Sequence, residues 1–167
     1  MAVKNPKELF VALLSNVRQG TEHTNHIFQE LTKHAQRPEV KEALEARILV
    51  DHDVLGRIDE IFKVIGEKPM KLPGRLHDAW VEDFREELAG FEHPLARHLF
   101  ILAKANHLYH LRIAEYTALV ELADVSGHYV VGALLETCLA DKVALAERTR
   151  RLMRHLVQHE VRELVAA

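Results

Sequence analysis

Seven polar residues fall on, or at the edge of, the apolar stripes of a chain whose hydrophobic pattern is helical: Thr21, Thr24, Asp51, Asn106, Tyr109, Asp141 and Lys142. Helix bundles build metal and cofactor sites from side chains that project inward at one level, and burying such groups without partners costs roughly 1–3 kcal/mol each. Asp51 and Asp141, with the flanking His52 and His110 and the hydroxyl of Tyr109, offer the donor types for an unusual iron or manganese site. Lys142 points to the opposite chemistry. A buried ammonium needs carboxylate or hydrogen-bonding partners, and Asp51 and Asp141 are the inward candidates. Lys142, Asp51, Asp141 and the Tyr109 hydroxyl then form a metal-free polar network with Thr21 and Thr24 as neutral neighbours. In the bland alternative Lys142 extends its stem to solvent and Asp141 stays at the edge of the stripe.

These residues need helices to position them, and the sequence punctuates the helices clearly. Asn5-Pro6-Lys7-Glu8 joins a cap residue, a proline at the first helical position and an acid three residues after the cap, so a helix starts there and runs to about Ala35. Arg37-Pro38-Glu39 opens a second, with Leu44, Ile48, Leu55, Ile58 and Phe62 at helical spacing until Gly66. The irregular stretch 67–74, holding Pro69, Pro73 and Gly74, leads to a shorter helix from about Arg75 to Leu88. Pro94 begins a long helix that stops at Ser126-Gly127, and a last helix carries Val131, Leu135, Cys138, Leu145, Leu152 and Leu156. Nothing alternates at period two. One domain over residues 1–167 is expected, all-α, an antiparallel four-helix bundle with one additional short connecting helix.

Composition narrows the function. With 167 residues, 48% hydrophobic and 28% charged, the chain reads as one soluble domain with a sizeable core. A net charge of −3 gives no basic footprint for nucleic acid. The N-terminal MAVKNPKELF has no signal-peptide apolar region and no run approaches a membrane span, so a cytoplasmic protein is expected, with no membrane partner. Cys138, the only cysteine, reads as a core residue. Among twelve histidines, His23, His26, His34, His155 and His159 read as solvated helix positions, and His77, His93, His98 and His128 as terminus residues with capping or surface roles.

Several short fragments resemble a known family. Glu8-Leu9-Phe10 with Leu13-Leu14-Ser15, then Arg57-Ile58-Asp59 and Gly66-Glu67-Lys68-Pro69, then His110 with Ile113-Ala114 and Tyr116, and finally Gly127, Leu134-Leu135 and Leu139, are similar to the YciE/YciF-like ferritin-like family of bacterial stress-associated proteins. The likeness extends from Glu8 to about Leu152. It implies a ferritin-like bundle, often dimeric, with a dinuclear metal site and no settled activity.

The chain departs from that pattern where the metal ligands belong. Thr21, Leu49 and Val50, Tyr109 and Arg112, and Thr137 stand where the family pattern has glutamates, and only Asp141 keeps an acid. Lysine would then supply charge that metal supplies in the family. The expectation is a stress-associated ferritin-like protein with a degenerate centre, no resident cofactor, and a non-catalytic protective or partner-binding role as a homodimer. Two alternatives stand beside it. One is a metal-dependent oxidoreductase or metal-storage protein using iron or manganese at the Asp/His/Tyr site. The other is an interaction module whose short helix, around Trp80 and Phe84, docks an unknown protein partner.

Overall fold

A computed structural model describes residues 3–71 and 75–166. The Pro73-Gly74 break and the His77 side chain lie outside the described residues. Among the described residues the chain forms five helices and no strand: α1 (Pro6–His34), α2 (Pro38–Ile65), α3 (Arg75–Ala89), α4 (Pro94–Val125) and α5 (Tyr129–Ala166).

The helix ends follow the cap chemistry. The Asn5 side chain accepts the Glu8 amide at 2.9 Å, and Pro6 occupies the first turn, where its missing N–H has no helical acceptor to meet. Proline also begins α2 and α4. Gly66 closes α2 at φ +69°, a left-handed conformation that a residue with a Cβ adopts only at a cost.

Side-chain contacts give the helix directions. Phe10 of α1 meets His128 beyond the end of α4, and Phe28 meets Tyr109 farther back, so α1 and α4 are antiparallel. Likewise Arg57 and Glu42 of α2 pair with Asp141 and Arg148 of α5 in reversed order. Each neighbouring pair runs antiparallel, α2 and α4 lie across a diagonal, and the connection between them must cross the length of the bundle. That long crossover is the ferritin-like topology. It carries α3, which packs on α1 and α4 through the fully buried Phe84, with Trp80 stacked on it at 5.6 Å and Phe100 at 5.9 Å. Trp80 and Phe84 thus dock the short helix onto its own bundle.

The core is divided. One apolar cluster gathers Ile27, Phe28, Leu31, Leu44, Phe84, Ile101 and Leu102, and the other Phe10, Leu14, Ile58, Ile61, Leu119 and Leu135. Tyr109 belongs to the first and Tyr116 to the second, and between these two tyrosines the bundle is polar.

Candidate functional site

Four charged side chains meet the interior at this level: Arg47 and Asp51 from α2, Arg112 from α4 and Lys142 from α5. Lys142 Nζ donates to Asp51 Oδ1, and both side chains are 0% exposed. Arg47, one turn before Asp51, sets its Nη2 2.6 Å from the other carboxylate oxygen, an ion pair that lacks hydrogen-bond geometry. The Arg47 guanidinium carbon lies 3.8 Å from the centre of the Phe28 ring and 5.5 Å from that of Tyr109, so the cation rests on aromatic faces. Burial pulls the Lys142 ammonium and the Arg47 guanidinium below their ordinary pKa values, while the Asp51 carboxylate acts the other way.

Arg112 reaches the layer because Gly20 has no side chain. A methyl group on Gly20 would overlap the Arg112 guanidinium, which lies against the α1 backbone there. Arg112 pairs with Glu115 on its own helix, and Glu115 also accepts from the Asn16 amide at 3.0 Å, which ties α4 to α1 at the rim of the layer. Thr21 and Thr24 are fully buried, and each donates its hydroxyl to the carbonyl four residues back, Val17 and Gly20, so both are satisfied within α1. Tyr109 and Tyr116 close the layer above and below. Burial pushes the Tyr109 hydroxyl up to about 12 and raises that of Tyr116 as well.

The structure brings Thr21, Thr24, Asp51, Tyr109 and Lys142 to this level, and it sends others of the sequence set elsewhere. Asp141 is not a partner of Lys142. Successive helical residues point about 100° apart, so once Lys142 faces inward its neighbour turns away, and Asp141 pairs instead with Arg57 at 2.6 Å with 36% of its side chain exposed. The same geometry places His52, beside Asp51, at 90% exposure, and leaves His110, beside Tyr109, on the surface with its Nδ1 on the Asn106 carbonyl at 2.9 Å. Asn106 is half-buried and lines a groove with His110, Ile113, Val143 and Glu147 between α4 and α5.

Arg47 is the residue that sequence reading missed. Val40, Leu44, Arg47, Asp51, Val54 and Ile58 form the buried stripe of α2. Their spacing of three and four residues was available as a signal, but arginine is read by type as a surface residue. The fragments that carry the family resemblance have visible architectural tasks. Ser15 donates to the Val11 carbonyl at 2.7 Å and accepts the Met70 amide at 3.0 Å, which pins the segment after Gly66 to α1. Asp59 holds Arg18 of α1 at 2.6 Å, just as Arg57 holds Asp141 of α5.

Comparison with known proteins agrees with this architecture. Residues 5–162 match the family described as a domain of unknown function, DUF892. The protein YciF of Escherichia coli K12 is 23% identical over 147 residues, covering 86% of this chain and 87% of that one. The crystal structure of the E. coli stress protein YciF superposes with a TM-score of 0.87 at 21% identity, over 93% of this chain and 99% of the other. A ferritin-like, diiron-carboxylate protein structure from Bacillus anthracis gives 0.69 at 16% identity, over 90% and 99%.

That fold family implies a dinuclear metal, and the residues here do not fit one. Such a centre is built from inward glutamates and Glu-x-x-His pairs on four helices. In this chain the same level presents two guanidinium groups and an ammonium around a single buried aspartate. Among the described residues no three His, Cys, Asp or Glu side chains come together as a ligand set. Fixed positive charges oppose a divalent cation by the same Coulomb term that carboxylates would supply in its favour.

Proposed function

Because this chain belongs to the DUF892 family, we propose that it is a stress-associated bacterial protein in which side-chain cations replace the dinuclear metal of a ferritin-like bundle, and that its role is non-catalytic. It protects or binds a partner as a rigid helical body, in the cytoplasm and as a homodimer. The observation that carries this reading is the Arg47–Asp51–Lys142 cluster, fully buried and joined by Arg112. The likeness to E. coli YciF, a stress protein, supports the cellular context. No described helix is long and apolar enough to cross a membrane.

Elemental analysis of tag-free protein, produced with added iron and manganese and purified without nickel, tests the central claim. Well under one metal ion per chain is expected; one or two iron or manganese ions per chain would overturn it. Light scattering on the same sample should return twice the 19.1 kDa of one chain, and a monomer at all concentrations would remove the dimer.

A further inference from the structure

The buried layer holds more positive than negative charge and more donors than acceptors. Arg47, Arg112 and Lys142 share it with Asp51, and Glu115 at the rim, 21% exposed, answers Arg112. With Lys142 protonated, as its bond to Asp51 favours, one unit of positive charge is then left over. Asp51 accepts from Lys142 on Oδ1, while its Oδ2 faces Arg47 Nη2 at 2.6 Å as an ion pair without hydrogen-bond geometry. Arg47 Nε and Nη1 meet no acceptor among the described residues, and the hydroxyl of the fully buried Tyr116 is in the same condition. A guanidinium cannot shed its proton as an amine does, and a buried charge without compensation is among the costliest arrangements in a protein interior.

The geometry limits what can compensate it. Phe28 covers one face of the guanidinium at 3.8 Å, so a ligand must approach in the guanidinium plane, where its N–H groups point. The surrounding clusters are apolar, which favours a compact ligand. A single excess charge calls for a monovalent one. We propose that the layer binds one small monovalent anion, of the halide, nitrate or formate kind, in the plane of the Arg47 guanidinium with the Tyr116 hydroxyl as a further donor. The ligand at the centre of this bundle thereby takes the sign opposite to that of a metal ion. The inference rests on the metal-free reading of the centre proposed above.

Bromide tests it, because its anomalous scattering identifies it in a crystal. Crystals of the wild-type protein in sodium bromide should show an anomalous peak beside Arg47 within the bundle. In solution, replacing gluconate by bromide at constant ionic strength up to 1 M should raise the melting temperature by about 4 °C, as for a site half filled near ~0.1 M. Arg47→Met should abolish the difference and Tyr116→Phe should reduce it. Ordered water alone beside Arg47, with no anomalous peak, overturns the proposal even if neither variant folds. Metal analysis of the same batch separates the two failures. Stoichiometric iron or manganese removes the metal-free centre, whereas a metal-free batch without the bromide peak removes only the anion.

Discussion

Lys142 and Asp51, 91 positions apart in the chain, join α5 to α2 through a charged hydrogen bond at a point where neither side chain reaches solvent. Arg47 approaches the same carboxylate from one turn away, so Asp51 carries the negative charge for two buried cations. Removing it should therefore cost more than removing either cation. Asp51→Ala is expected to destabilise the fold by about 3–5 kcal/mol, because two uncompensated charges stay behind. Replacing the cluster together, with Arg47→Met, Asp51→Leu and Lys142→Met, should be neutral or stabilising, since packed apolar groups incur no desolvation penalty. Urea unfolding of the two variants decides the matter. If the triple variant loses as much stability as Asp51→Ala, the cluster does more than balance its own charges.

Gly20 and Arg112 form a second pair, in which the absence of a side chain is the fitted feature. Alanine is worth about 1 kcal/mol more than glycine inside a helix, so Gly20→Ala would ordinarily stabilise α1. Here the new methyl displaces the Arg112 guanidinium from the α1 backbone, and the net effect should be a loss of about 1–3 kcal/mol. In an Arg112→Ala background the same substitution should be neutral or favourable. A thermal-unfolding double-mutant cycle reads that change of sign, and additive effects would disprove the contact.

How much of this was legible beforehand depended on residue type. Helix starts at Pro6, Pro38 and Pro94 and the stop at Gly66 were readable, since proline and glycine act through the local backbone. Thr21, Thr24, Asp51, Tyr109 and Lys142 were also readable as inward residues, because their position on an apolar stripe is a matter of periodicity. Asp141 was not separable from Lys142 on that basis. Both straddle the stripe, and the choice was made by what faces each, Asp51 inward and Arg57 outward. Arg47 and Arg112 required tertiary information, the Phe28 ring beneath one and the bare Gly20 backbone beside the other. The acid-poor positions already implied an altered centre, but not its excess of positive charge.

The three tyrosines provide a spectroscopic test of the layer. Tyr129 is 72% exposed, whereas Tyr109 and Tyr116 are buried at the two boundaries of the ionic layer. Burial raises Tyr109 to about 12 and raises Tyr116 too, so the folded protein keeps both protonated where the unfolded chain would lose those protons. Their contribution to stability is fully present below pH ~10 and is lost as pH rises through the folded values. In a Tyr129→Phe variant, phenolate absorbance should appear only on unfolding. A folded Tyr129→Phe protein with phenolate absorbance near pH ~10 would contradict the sealed layer.

His98 should make the protein sensitive to acid through a different contact. It is 1% exposed and bridges the start of α4 to the α1–α2 turn, with Nδ1 2.7 Å from the Pro94 carbonyl and Nε2 accepting the amides of Gln36 at 3.0 Å and Arg37 at 3.1 Å. Only the neutral ring protonated at Nδ1 satisfies all three bonds. A terminus residue expected to serve as a cap or surface group is in fact a buried latch. Burial lowers its pKa, as do the nearby Arg37 and Arg97 charges, while the Pro94 carbonyl and Glu39 act against the shift. Because the folded value lies below the unfolded one, near ~6.5, the stabilisation is complete above that pH and declines as pH falls through the folded value. Wild-type urea midpoints should therefore drop as pH falls below about 6.5. His98→Gln should lose about 1–2 kcal/mol at pH 7.5, where the latch is closed, and show a flatter response over the acid window. A variant that falls as steeply as the wild type would assign the acid sensitivity to another group.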